Sequence, residues 1–111
     1  MKGAAVLDRD TARTYAEWFR ALADPTRVQI LNLLAEAGTP MAVGEIVEQV
    51  SVGQSTVSAH LKVLADTGFV LVEPQGTARL YRVNEKCVSC FPSAADVVMG
   101  RGVRSFGEEA R

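Results

Sequence analysis

Histidine is nearly absent from these 111 residues: His60 stands alone, with only two cysteines, Cys87 and Cys90, and one tryptophan, Trp18. So small a stock of nitrogen and sulfur ligands leaves one chain short of a tetrahedral zinc site unless other ligands join or a twofold axis brings two cysteine pairs together. Two cysteines are also too few for a disulfide scaffold, and they suit a reducing compartment. No apolar run approaches the roughly 20 residues that cross a bilayer. The opening MKGAAVLDRD has neither the apolar core nor the cleavage pattern of a secretory signal. A cytoplasmic protein with no membrane partner is therefore expected. Twelve basic and 13 acidic residues leave a net charge of −1, an excess too small to select or reject a polyanion; only the local distribution of charge can do that. Low-complexity tracts and long-period repeats are missing, which argues against solenoids and disordered binders. Missing too are a nucleophile paired with a base and a glycine loop that would cradle phosphate, so no enzyme is expected.

What is present is apolar periodicity. With 48% apolar residues the chain can bury one core. The domain is expected over residues 10–100, between a flexible N-terminus (1–9) and a flexible tail (101–111) rich in glycine and charge. Ala12, Tyr15, Ala16, Phe19 and Leu22 recur at three and four, which predicts a first helix from Asp10 to Ala23. Trp18 lies off the centre of that seam, which suits either a contact with another subunit or a cover for the domain's own core. In ALADPTRVQILNLLAEAG, Asp24 can accept from the backbone N–H of Arg27, Pro25 fits a first helical position and Gly38 can close the end. A third helix is expected from near Met41, with Val43, Ile46, Val47 and Val50 on one side. The turn SVG that follows is so short that the third and fourth helices must form a helix-turn-helix.

The fourth helix, QSTVSAHLKVLADT, is expected from Gln54 to Thr67, with Gly53 as N-cap and Gly68 just past its end. At about 100° per residue Val57, Leu61 and Leu64 form a narrow stripe, and Ser55, Ser58, Ala59 and Lys62 point away from it. The outward face is shallow and polar. After Gly68 the period changes to about two: FVLVEPQGTARLYRV predicts a two-stranded hairpin turning through EPQGTA, with Arg79 near its tip and Arg82 further down. NEKCVSCFPSAADVVMG then predicts a fifth helical segment, with Pro92 a candidate break and Ser93 and Asp96 at the spacing of a capping box.

Mainly helical with a small β-hairpin, this is the element order of a winged helix-turn-helix. A rigid helix with a thin polar face can enter a DNA major groove about 12 Å wide. Gln54, Ser55, Thr56 and Ser58 can bond bases or phosphates, Lys62 adds charge, and Arg79 and Arg82 can grip the backbone. His60, at the edge of the apolar stripe, suits packing or a phosphate contact better than metal ligation. The alternatives are a winged helix that contacts protein and, from another class, a thiol-redox protein using Cys87 and Cys90.

The motifs ALADPTRVQILNLL, QSTVSAHLKVLADTGFV and GTARLYRV, in that order, resemble the ArsR/SmtB family of bacterial winged helix repressors over roughly residues 10–100. The resemblance implies a homodimer formed by the first and last helices, with Tyr15, Trp18, Phe19, Val97 and Val98 at the interface. It also implies double-stranded operator DNA as partner and release by a metal, metalloid or thiol-redox signal. Two inducer sites of the family are unmatched: Ala42 and Gly44 stand where arsenic and lead sensors carry thiols, and the last helix has no histidine. Cys87 and Cys90 remain, spaced by three, as tentative ligands of a soft ion or as an oxidisable pair; packing, or incidental exposure, accounts for them equally simply.

Overall fold

The computed structural model describes residues 6–100, apart from the side chains of residues 87–92. Of the segments expected to be flexible, residues 1–5 and 101–111 lie outside the described residues, and Arg9 already belongs to the first helix. Eight elements follow in order: α1 (Arg9–Ala21), α2 (Pro25–Ala37), β1 (Met41–Ala42), α3 (Val43–Val50), α4 (Gln54–Asp66), β2 (Val70–Gln75), β3 (Ala78–Val83) and α5 (Glu85–Val98).

The local punctuation acts as its chemistry dictates. Asp24 Oδ1 accepts from the N–H groups of Thr26 and Arg27 at 2.8 and 3.1 Å, Pro25 opens α2, and Gly38 ends it at φ +68°. α4 closes in a Schellman motif: Phe69 N–H donates to Leu64 O and Gly68 N–H to Ala65 O, with Gly68 at φ +90°. Ser51 ends α3 in the left-handed region at φ +59° and directs the chain into α4 within three residues.

Three expectations are corrected. The start of the third helix at Met41 gives way to β1, whose Met41 and Ala42 pair antiparallel with Tyr81 and Leu80; the wing is a three-stranded sheet ordered β1-β3-β2, and two residues are too few to show a period. The turn is shorter than EPQGTA. Register runs from Val70↔Val83 to Gln75↔Ala78, leaving only Gly76 and Thr77, with Gly76 at φ +63° in the first central position of a tight hairpin. Pro74 therefore lies inside β2, where it is tolerated because β2 is an edge strand. Finally, α5 is one helix across Pro92, so Ser93 and Asp96 are interior to it and form no capping box. Its N-cap is Asn84, whose Oδ1 accepts from Lys86 N–H at 3.1 Å while its Nδ2 donates to Gly68 O at 2.8 Å.

The core is the set of stripes brought together: Ile30 and Leu34 from α2, Ile46 from α3, Val57, Leu61 and Leu64 from α4, Phe69 from the turn after α4, and Val70 and Tyr81 from the sheet. α1 contributes only Ala21 to the buried set.

The Asp24 carboxyl carries a pH dependence. The Arg27 N–H, then the Thr26 N–H and then electrostatic attraction from His60 and Arg27 hold it below its ordinary value of 3.8, against burial that pushes it up. A carboxyl whose pKa is lower folded than unfolded stabilises fully above the ordinary value, and the contribution is lost as pH falls through the folded value. The melting temperature of the wild type should thus fall with acid most steeply below about pH 3.8. In Asp24→Asn, which keeps an uncharged acceptor at the cap, that part of the decline should be missing from thermal melts taken across the same range.

Candidate nucleic-acid interface

The face of α4 follows from its back. Val57, Leu61 and Leu64 are each 0% exposed, and this fixes the rotation of the helix about its axis. Gln54, Ser55, Thr56, Ser58, Ala59 and Lys62 are exposed as a consequence. Among the described residues, the side chains of Gln54, Ser55, Thr56 and Ser58 have no hydrogen-bond partner within the protein. Gly53 puts no side chain over the first N–H groups of α4, so the helix also presents its unpaired amide end.

The cations are less free than the sequence suggests. Lys62 Nζ is 3.2 Å from Asp66 Oδ2, an exposed i, i+4 pair that a phosphate can displace at small cost. Arg82 is bound through Nε to Glu73 on the neighbouring strand, so its charge is largely matched. Arg79 and Arg82, expected to grip phosphate together, lie on opposite faces of the wing, because they are three residues apart on a strand of period two. Arg79 is exposed near the turn and has no carboxylate partner among the described residues. His60 turns back into the protein: Nδ1 is 3.1 Å from Arg27 Nη1 and Nε2 is 3.8 Å from Asp24 Oδ1, with the side chain 17% exposed. It packs α4 against α2 and does not stand with the groove-facing residues.

On the far side, Tyr15 and Phe19 of α1 face Val97 and Val98 of α5 across an open apolar groove of about 590 Å³, which Leu7 and Ala12 also line. Ala12, Tyr15, Ala16 and Phe19 of the α1 seam thus face this groove, while Leu22 at its end packs on the core. Trp18 departs from that group: it is half-buried against the core, with its ring 5.4 Å from that of Tyr15. The side chains of Cys87 and Cys90 lie outside the described residues. Among the described residues no three His, Cys, Asp or Glu side chains gather as metal ligands, and no helix is long and apolar enough to cross a membrane.

Sequence reasoning missed Arg27, Asn84, Glu73 and Asp66. Only Asp66 left a local signal, its i, i+4 spacing from Lys62.

Two helices joined by a tight turn, the second one outward, beside a sheet whose hairpin projects on the same chain: this is a winged helix-turn-helix module. The model of a family described as "Bacterial regulatory protein, arsR family" matches residues 24–71. The HTH-type transcriptional regulator Rv2034 of Mycobacterium tuberculosis is 33% identical over 98 residues, 88% of this chain and 90% of that protein. The arsenical resistance operon repressor of Bacillus subtilis is 36% identical over 77 residues, 69% of this chain and 72% of that one. Among solved structures, the homodimeric winged helix-turn-helix DNA-binding domain Mb0332 from Mycobacterium bovis superposes with a TM-score of 0.66 at 33% identity, covering 88% of this chain and 90% of that one. The chain belongs to the arsR family of bacterial regulatory proteins, as a winged helix-turn-helix transcriptional regulator.

Proposed function

We propose that the protein is a homodimeric repressor that lays α4 of each subunit in the major groove of a two-fold operator, with Arg79 of each wing on the flanking backbone. The observation that carries this reading is the contrast along α4: three aliphatics with no exposure behind four exposed polar side chains that have no protein partner. Such groups are unspent hydrogen-bonding capacity on a rigid element narrow enough for the groove. The α1–α5 groove supports a second copy as its occupant, since an apolar helix seam left out of the core gains by pairing with itself around a twofold axis. The two α4 helices would then meet half-sites about one DNA turn apart.

The releasing signal would be a soft metal or metalloid ion, or an oxidant, at Cys87 and Cys90, three positions apart on α5. The name of the Bacillus subtilis relative, an arsenical resistance repressor, supports a metalloid as the signal but says nothing of the site, since Ala42 and Gly44 stand at the positions where arsenic sensors carry thiols. If the variant with both Cys87→Ser and Cys90→Ser is still released from DNA by arsenite, Cd²⁺ and peroxide as the wild type is, the pair is not the sensor.

The DNA reading is tested by gel-shift titration with duplexes over a range of salt. Arg79→Ala should weaken binding to all sequences alike and reduce the salt slope by about one. Gln54→Ala and Ser58→Ala should instead narrow the discrimination between operator variants, by about 1–3 kcal/mol for each hydrogen-bonded base that the variant no longer reads. A changed base preference in Arg79→Ala would contradict its backbone role.

A further inference from the structure

α1 is joined to the rest of the chain chiefly at its C-terminal end. Ala21 is its one buried side chain, and Trp18 and Leu22 rest half-buried on the core. The last carbonyls of a helix lack intrahelical partners. Here the Arg27 guanidinium reaches that end: Nε donates to Ala21 O, and Nη2 donates at 3.4 Å to Arg20 O, which also accepts from Ala23 N–H at 3.1 Å. Its remaining nitrogen, Nη1, lies 3.1 Å from His60 Nδ1 on α4.

A guanidinium can only donate, so Nδ1 must accept, and the imidazole carries its proton on Nε2, toward Asp24. Asp24 in turn holds the N–H of Arg27 itself. One planar side chain, with its backbone fixed by a cap, therefore ties the end of α1, the start of α2 and the flank of α4. The directions of a guanidinium fork are set by its plane, which a lysine would not reproduce.

We propose that Arg27, acting through His60, is a positioning residue that fixes the angle between α1 and α4 and thereby selects the half-site spacing the dimer accepts. This rests on the homodimeric DNA-binding reading given above. In such a dimer α1 lies at the twofold axis and α4 in the groove, so the angle between them sets the separation of the two recognition helices. With a lever arm of about 17 Å, half a DNA turn, a tilt of about 10° displaces α4 by about 3 Å, close to the rise of one base pair. A joint that yields by that much would accept operators that the intact joint rejects.

The test uses the full chain and two duplexes: one selected by the wild type from a random-sequence pool, and the same duplex with one base pair inserted at its centre. The quantity read is the ratio of the two affinities. A smaller folded fraction, or a weaker grip on phosphate, lowers both affinities together and cancels in that ratio. Arg27→Ala and His60→Ala should lower the ratio by about fivefold or more, and the double variant should lower it no further than Arg27→Ala alone. Arg27→Lys should resemble Arg27→Ala, while His60→Asn, whose amide oxygen can accept in place of Nδ1, should keep the ratio of the wild type. If Arg27→Ala retains the wild-type ratio while both affinities fall, Arg27 only stabilises the fold and the inference is overturned. If the wild type enriches no duplex, the DNA-binding reading fails and takes the inference with it.

Discussion

Leu61→Ala is expected to lower the unfolding free energy by about 2–5 kcal/mol, a large fraction of the roughly 5–15 kcal/mol that holds a domain together. Leu61 is 0% exposed and lies between Val57 and Leu64, both also 0% exposed, in one continuous core with Ile30, Leu34 and Ile46. Truncation removes the transfer free energy of three carbons and leaves a cavity that packed helices cannot fully close. For a domain near this size each kcal/mol moves the melting temperature by about 4–8 °C, so thermal melts should fall by roughly 8–40 °C. Leu61→Met, which nearly conserves volume, should lose under about 1.5 kcal/mol. DNA affinity should follow the folded fraction in Leu61→Ala and recover on cooling, because no groove-facing group is touched. A loss below about 1 kcal/mol would mean that α4 is not anchored by this stripe.

Ala16→Glu should have the second large effect, on assembly. Ala16 is an exposed residue of α1 that lines the groove between α1 and α5 beside Tyr15 and Phe19. Glutamate is a good helix former, so the helix itself is not disfavoured. In a dimer, however, the substitution forces a carboxylate, and its twofold mate, into an apolar seam, and Arg9 and Arg13, which border Ala16 outside that groove, could pair it only by leaving water themselves. Sedimentation of the variant should show a monomer where the wild type is a dimer. Operator affinity should fall by about 10²–10⁴, because the second recognition helix is no longer delivered at high effective concentration. The salt slope should fall by about half, with half the phosphates contacted. A variant that remains dimeric and binds as before would place the dimer seam elsewhere.

The parts of the fold that are local in the chain could be read in advance. The stripe Val57, Leu61, Leu64 needs only the helical period, and Asp24, Pro25, Gly38, Gly53 and Gly68 act within a few residues of themselves. What could not be read depends on pairing at a distance. Met41–Ala42 is a strand only because Tyr81 and Leu80 are beside it. Pro74 is allowed in β2 only because that strand is at the edge of the sheet. The spacing of Ser93 and Asp96 suits a helix start, yet Asn84 begins the helix nine residues earlier by bonding to the end of the α4 turn.

The candidate site divides in the same way. Gln54, Ser55, Thr56 and Ser58 were legible because the stripe dictates their direction. Arg82 looks like a free cation in the sequence because its match with Glu73 follows from hairpin register, which the segment EPQGTA does not disclose. His60 is joined to Arg27 across 33 positions, a pairing that no periodicity encodes.

The most direct measurement is a backbone-amide NMR titration of the wild type with its selected duplex at two salt concentrations. Signals of residues 54–62 and of the wing turn through Arg79 should shift, those of Ile30 and Leu34 should not, and binding should weaken steeply at the higher salt. Perturbation centred on another surface, with the amides from Gln54 to Lys62 unmoved, would contradict the assignment of α4 as the DNA-reading element.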